Sequence, residues 1–402
     1  MRLPAAGRPH LTYCTNVHPG ESWPETFANL KAYLPPIKRL VSPQGSFGVG
    51  LRLSGRAAEE LERPGEMDRL RAWLDEHDLY VFTLNGFPQG AFHGTRVKER
   101  VYLPDWLDEE RQRYADRLAR ILAGLLPPQV EGSVSTVPGA FRERVRSPED
   151  AALMADRLLQ HASTLHRIEQ QTGKLIAVAL EPEPCCYLET TAQTVAFFEE
   201  LLFSRQALER FGRLTGLARP AAEESLRRHL GVCFDCCHMA VEFEDLPGAL
   251  RALGSAGIRV AKVQLSAGLR VTFGPGSEEV LSALRPFADP VYLHQVVERR
   301  GETLRRFLDL DEAMGSAGPA GAATREWRIH FHVPVFQPRY GSLQNTQRDL
   351  EAVLRLLHAE PCSAHLEVET YTWDVLPAEY RREGIVTSIA RELQWVIERM
   401  QA

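Results

Sequence analysis

Four short stretches gather the ionisable and metal-ligating side chains of this chain at the ends of apolar runs. They are Glu181-Pro182-Glu183-Pro184, Asp235-Cys236-Cys237-His238, Gln264 within Val263-Gln264-Leu265, and the alternating set His365, Glu367 and Glu369. Alternation places the last three on one face of an extended segment. A carboxylate in a protein core is costly unless it is paired or bound to a cation. Several converging acids repel one another, and a divalent metal removes that conflict. Oxygen-rich ligation suits Mg²⁺ or Mn²⁺, and a histidine admits Zn²⁺ or Co²⁺. The competing reading needs no ion: Glu183 and one of Glu367 and Glu369 pair with arginines at a rim. The coincidence of four such stretches favours the metal.

Further candidates surround these. His294 lies in Tyr292-Leu293-His294-Gln295, and His330 and His332 share one face of Ile329-His330-Phe331-His332-Val333-Pro334. They are read as substrate hydrogen-bonding groups, as ligands for further metal ions, or as structural histidines. Asn16, His18, Asn85, His93 and Lys98 are candidates for the mouth of a substrate pocket, where Gly86, Gly90 and Gly94 allow tight backbone. The alternative there is a glycine-rich turn with incidental polar groups. Cys233-x-x-Cys236-Cys237-His238 is compatible with zinc, but a structural site needs four ligands. Small buried thiols are the plainer expectation.

What must position these residues is a repeated strand–helix pattern. Strands are expected at Leu11–Thr15, Phe47–Leu53, Leu79–Leu84, Gly132–Val137, Leu175–Leu180, Leu230–Phe234, Arg259–Leu265 and Ala364–Glu369. Continuous apolar strands separated by helices mark a parallel sheet covered by helices. Helical patterns occupy Pro104–Leu126, Thr190–Leu214, Gln344–Leu357 and Ile385–Met400, and another starts at the N-cap Ser147 and runs to Gly173. Eight repeats predict an α/β fold closed as a (β/α)₈ TIM barrel, one domain over residues 1–402, with its site at the C-terminal ends of the strands. No G-x-G-x-x-G follows the first strand, which disfavours a dinucleotide fold.

About 95 residues separate the seventh and eighth strands, far beyond an ordinary connection. A long insertion is therefore expected over 267–340 near the C-terminal face, with strand-like runs at Val291–Val297 and Trp327–Val335. A flexible Gly/Ala/Ser-rich link is expected at about 314–325.

Composition narrows the function classes. The chain has 402 residues, 53 acidic against 47 basic, for a net charge of −6. No basic stripe marks a nucleic-acid surface; Arg299, Arg300, Arg305 and Arg306 alternate with acids and read as solvated helix faces. No apolar run reaches the length of a membrane span, and no signal-type h-region precedes Tyr13. Seven cysteines, five of them in two tight groups, fit reduced thiols in the cytoplasm rather than a disulfide framework.

The order Glu, Asp-x-x-His, Gln and Glu on the fifth to eighth strands resembles the xylose-isomerase-like TIM barrels. These include sugar isomerases, ketose 3-epimerases, hydroxypyruvate isomerase and endonuclease IV. Gln264 is similar to the hydroxypyruvate isomerase branch. Thr12-Tyr13-Cys14-Thr15-Asn16-Val17-His18-Pro19-Gly20-Glu21, Leu84-Asn85-Gly86-Phe87-Pro88, Glu181-Pro182-Glu183-Pro184-Cys185-Cys186 and Leu366-Glu367-Val368-Glu369-Thr370-Tyr371-Thr372-Trp373 resemble the EboE-like "metabolite traffic" members over nearly the whole chain.

The resemblance implies a divalent metal (Mn, Mg, Zn or Co) on Glu181, Asp235, Gln264 and Glu369. Glu367 is the alternative eighth-strand ligand, and His238 a fifth ligand or a substrate-orienting group. It implies a sugar or cyclitol-like substrate in a small-molecule pathway. Glu181 and Glu369 would exchange a proton next to a carbonyl polarised by the metal, as an isomerase or epimerase does. Two other readings stand beside it. One is a metal-dependent phosphoester hydrolase with His294, His330 and His332 as added ligands; the other is a metabolite-binding barrel without turnover.

Overall fold

The protein is described here from a computed structural model, which covers residues 1–94, 96–274, 277–317 and 325–401. Strands follow in chain order as β1 (His10–Tyr13), β2 (Phe47–Arg52), β3 (Leu79–Asn85), β4 (Gly132–Thr136), β5 (Ile176–Leu180), β6 (Leu230–Asp235), β7 (Arg259–Leu265), β8 (Leu269–Phe273), β9 (Val296–Arg300), β10 (Thr303–Phe307), β11 (Arg325–Ile329), β12 (Arg339–Tyr340), β13 (Leu343–Asn345) and β14 (His365–Val368). Strands β1–β7 and β14 form one parallel sheet in the order β1-β14-β7-β6-β5-β4-β3-β2. Nearly every residue of these strands is buried, because helices cover the outer face and side chains fill the interior.

The seam between β1 and β2 is closed by a side chain as well as by backbone. Thr12 Oγ1 donates to Gly48 O at 2.7 Å and accepts from Gly50 N at 3.1 Å, and Cys14 bridges Gly50 in parallel register. These contacts complete a (β/α)₈ barrel.

The helix beginning at Ser147 behaves as its sequence demands. Ser147 caps it reciprocally with Asp150, Pro148 opens it, and it ends at Gly173 in the left-handed region (φ 70°). Other helices differ from expectation. The pattern over Thr190–Leu214 is broken into Thr191–Phe197, a π-turn at Phe198–Leu202 and Arg205–Thr215. The helix expected from Pro104 starts only at Glu109, with Asp108 at its N-cap. A helix also spans Trp23–Val41, with Pro35 and Pro36 inside it.

Between β7 and β14 the chain builds a second sheet, antiparallel in its pairings, in the order β10-β9-β11-β8-β13-β12. The strand expected at Val291–Val297 is displaced to β9, and the one at Trp327–Val335 ends at Ile329. Strands β8, β10, β12 and β13 had no counterpart in the sequence reading. The arginines read as a helix face lie instead on β9 and β10. Arg300 pairs with Glu298 at 2.8 Å, and Arg306 pairs with Glu242. Most of the expected link, residues 318–324, lies outside the described residues; Met314 and Gly315 end a helix that starts at Leu310. Among the described residues, no helix is long and apolar enough to cross a membrane.

The C-terminal helix (Ile385–Gln401) ties the second sheet to the barrel through Glu392, which accepts from Val335 N at 3.1 Å and Thr370 Oγ1 at 2.7 Å. Burial raises this carboxyl from 4.5 to about 7 against those two hydrogen bonds. Its folded pKa exceeds the unfolded one, so the native state holds the extra proton between these values. The contribution is full below pH 4.5 and is lost as pH rises through about 7, some 3 kcal/mol in all. Glu392→Gln should therefore flatten the fall in unfolding free energy between pH 5 and pH 8, read by urea titration. An unaltered slope in the variant counts against this account.

Candidate metal centre and pocket

The interior face of β14 defines three levels of the barrel. His365 lies lowest, its Nδ1 2.8 Å from Ser133 Oγ, under an aromatic cluster with His10 and Phe82. Glu367 occupies the middle level, where Lys262 Nζ stands 2.5 Å from its Oε2, both side chains without solvent exposure. Glu369, just beyond the strand end, lies at the top. The face carries one histidine in a structural role, one carboxylate held by a lysine and one carboxylate at the site.

Gly50 is required by this stacking, since a Cβ there would lie 1.7 Å from Glu367 Oε1. Glu367, one of the candidate eighth-strand ligands, is thus committed to Lys262. Lys262 went unnoticed in the sequence, although it precedes Gln264 by two positions and so shares its strand face.

At the top level, Glu181, Asp235 and His238 bring ligand atoms within 4.8 Å of one another. Asp235 ends β6 and caps the short helix Cys236–Val241: its Oδ1 accepts from His238 N at 2.9 Å and Ser266 Oγ at 2.8 Å. Among the described residues its Oδ2 is buried without a hydrogen-bond partner, as are Glu181 Oε2 and both amide atoms of Gln264. Glu369 Oε1 accepts from Asn16 Nδ2 at 2.8 Å and Asn85 Nδ2 at 3.1 Å.

Two carboxylates at such separations repel by about 3–4 kcal/mol at an effective dielectric of 20. Burial, then Glu369 and Asp235, push the Glu181 carboxyl well above its usual range; burial, then Asp235 and Glu367, do the same to Glu369. Buried acceptors with unused lone pairs, set among mutually repelling acids, fit a divalent cation.

A pocket opens above this level. It is lined by Asn16, Asn85, Glu181, Glu183, His238, His330 and Glu369 on its polar side. Phe87, Phe92, Tyr102, Tyr292 and Tyr371 form an aromatic wall. Asp235, Gln264 and His332 are fully buried and do not line it.

Glu183 is taken up by the Tyr102 hydroxyl, which in turn accepts from Gln295 Nε2 at 2.7 Å. Burial lifts the Glu183 carboxyl to about 7, with His238 opposing. Burial lowers the imidazoles of His330, well below the usual range, and of His332, to about 4.

Several candidates stand elsewhere. His18 stacks on Tyr33 at 4.0 Å between ring centroids and bonds to Tyr13 OH at 3.0 Å, because the turn Thr15–Val17 carries it behind the first strand. His93 packs against Phe92 and does not line the pocket. Lys98 lines the pocket, but its ammonium pairs with Asp309. His294 is turned away: its Nε2 meets Asp289 and its Nδ1 lies 3.0 Å from His330 O, so neither nitrogen is left for an ion shared with His330 and His332. The cysteines near β6, Cys233, Cys236 and Cys237, are buried and free. Tyr102, Gln295 and Tyr371 were missed by sequence, and no spacing rule could have brought these distant residues to one wall.

The fold is that of a (β/α)₈ TIM barrel. Solved structures similar to this chain include a xylose isomerase-like TIM barrel protein from Mycobacterium smegmatis in complex with magnesium, at 10% identity and TM-score 0.50, covering 98% of each chain. Others are the IOLI protein with a bound zinc atom (12%, TM-score 0.47, 98% of each chain) and D-psicose 3-epimerase with D-tagatose from Clostridium cellulolyticum H10 (12%, TM-score 0.47, 98% of each chain). At these identities the likeness is one of fold. No protein-family model matches the chain, and neither does any curated sequence.

Proposed function

We propose that this protein is a metal-dependent isomerase or epimerase of a sugar or cyclitol-like hydroxy-carbonyl compound. Its place is a small-molecule pathway of the kind the EboE-like resemblance implies. The observation that carries the reading is the meeting of Glu181 and Glu369 at one pocket floor, both with carboxyls raised by burial and by each other's neighbours. Glu181, Asp235, Gln264 and Glu369 would hold the cation, with His238 beside them. When bound, a divalent ion supplies Lewis-acid polarisation that makes the C–H next to a carbonyl more acidic.

The chain's own residues account for the rest. The Glu181 and Glu369 carboxyls are placed to accept and return a proton, as a two-base exchange at carbon requires. Asn16 and Asn85 fix one oxygen of Glu369 and leave the other to act. Tyr102 and Gln295 hold Glu183 on the wall, where it can accept a substrate hydroxyl. The aromatic wall covers the less polar faces of the substrate and excludes water.

The test is turnover in D₂O by the Mn²⁺- or Co²⁺-loaded protein across a panel of ketoses and keto-cyclitols. Deuterium should enter the carbon next to the carbonyl. Product formed with no solvent label, from active metal-loaded protein, rejects proton exchange as the mechanism.

A further inference from the structure

We propose that His238, His330 and His332 form a second cation site, which takes a divalent transition metal of the Zn²⁺ or Co²⁺ class through three imidazole Nε2 atoms. This inference rests on the histidines alone and stands whether or not the isomerase reading holds. The three side chains are buried, and their candidate ligand atoms lie within 4.8 Å of one another. They come from two parts of the fold: His238 from the turn after β6, His330 and His332 from the segment that leaves β11 and returns to the barrel.

The argument turns on where each imidazole proton must be. His238 Nδ1 lies 3.0 Å from Pro182 O, and His332 Nδ1 lies 3.0 Å from Glu369 O. A backbone carbonyl only accepts, so both Nδ1 atoms carry hydrogen. His330 Nδ1 lies 2.7 Å from Gln295 Oε1. The amide orientation follows from the other end of Gln295, whose Nε2 donates to Pro184 O at 3.2 Å. His330 Nδ1 is therefore the donor to Oε1. A neutral imidazole has one donor and one acceptor nitrogen. All three histidines thus present a bare Nε2 lone pair to the same small space.

Lone pairs facing one another without a donor are unfavourable in a buried site. His330 Nε2 and His332 Nε2 are 3.2 Å apart, and neither has a hydrogen to give the other. Tyr371 OH stands 3.4 Å from His330 Nε2, at the limit of a hydrogen bond, and can cap only one of the three. A cation satisfies them together. The edge of a tetrahedron with metal–nitrogen bonds of about 2.0–2.1 Å is about 3.3 Å, close to the observed separation. Histidines that ligate metals characteristically donate their second nitrogen to a carbonyl or carboxylate, the pattern met here three times.

Imidazole ligation favours Zn²⁺, Co²⁺ or a similar ion over Mg²⁺. Because His238 and His330 also line the pocket, the ion keeps a coordination position open to an oxygen donor there, which distinguishes it from a closed structural site.

The experiment loads metal-stripped, full-length protein with CoCl₂ or ZnCl₂. It reads ions per chain by elemental analysis and, for cobalt, the visible absorption of a low-coordinate ion. The wild type should hold two ions, and His330→Ala and His332→Asn one each, with circular dichroism and melting confirming the fold. Gln295→Leu, which removes the acceptor that fixes the His330 tautomer, should weaken one ion by about 10–100-fold and leave the other unchanged. Glu181→Gln and Asp235→Asn should spare the ion with the intense cobalt absorption. If the histidine variants bind as many ions as the wild type, with equal affinity, the imidazole site is overturned. A single ion lost in Glu181→Gln but kept in His330→Ala overturns it too, while the carboxylate centre stands. The reverse pattern keeps the imidazole site and removes the carboxylate centre. A wild type that binds neither ion overturns both.

Discussion

Glu369→Gln should lower kcat by about 10²–10⁴-fold with little change in KM, the range expected when a positioned proton-transfer group is removed. The substitution is nearly isosteric, and a glutamine oxygen can still accept from Asn16 and Asn85 as Glu369 Oε1 does. What is lost is the basicity of the side chain. The native carboxyl is raised by burial, then by Asp235 and Glu367, so removing its charge relieves repulsion. The variant should accordingly melt no lower than the wild type. Asp235→Asn gives the contrasting pattern. Its Oδ1 caps the helix Cys236–Val241 while its Oδ2 has no hydrogen-bond partner among the described residues, so the fold is retained and the ion of the carboxylate centre is lost. Kinetics with solvent-exchange NMR, together with metal content, separate the two. A Glu369→Gln enzyme with kcat within threefold of the wild type would remove this residue from the proton-transfer role.

The parts of the fold legible in sequence are those whose burial leaves a simple pattern. β7 begins and ends where its apolar run does, and the other barrel strands fall within a residue or two of their runs. Strands covered on both faces read as short runs rich in Val, Ala, Leu and Phe, with inward polar groups such as Lys262 and Gln264 of β7 set among them. The second sheet hides because its strands carry charge. β9 is Val-Val-Glu-Arg-Arg and β10 is Thr-Leu-Arg-Arg-Phe, compositions that suggest a solvated helix. Cross-strand ion pairs such as Arg325–Glu298 and Arg270–Glu326 hold them as strands, and no local window contains both partners of either pair.

The candidate site divides in the same way. Strand ends and the two-residue period bring out the stretches that hold Glu181, Asp235, Gln264 and the Glu367/Glu369 pair, and the choice among them is what the family resemblance implies. His330 and His332 share a face, as alternation implies, but their relation to His238 depends on how the second sheet docks. Gln295 and Tyr102 depend on it as well, and so escape any local rule. His18 and His294 were drawn in by residue type alone. Their rings are occupied by Tyr33 and Tyr13, and by Asp289.

The middle level of the barrel yields the largest expected change in stability. Lys262→Met leaves Glu367 buried and unpaired beneath Glu181, Asp235 and Glu369, and should cost about 3–5 kcal/mol in the metal-free protein. Burial works against the Lys262 ammonium, but Glu367, then Cys233, Cys14 and Glu181, more than offset it and keep it charged. Among the described residues, it is the cation that acts on both Glu181 and Glu369 from below. Adding Glu367→Gln to Lys262→Met removes the stranded charge and keeps the side-chain shape that rests against Gly50. The double variant should recover most of the loss, since replacing a buried pair by neutral groups is far milder than breaking it. Urea unfolding of the wild type, both single variants and the double variant measures the coupling. Equal and additive losses would mean that the pair contributes only packing. Non-additivity of several kcal/mol would place the lysine where the electrostatics put it, as the fixed charge that lets four acids share one barrel before any metal arrives.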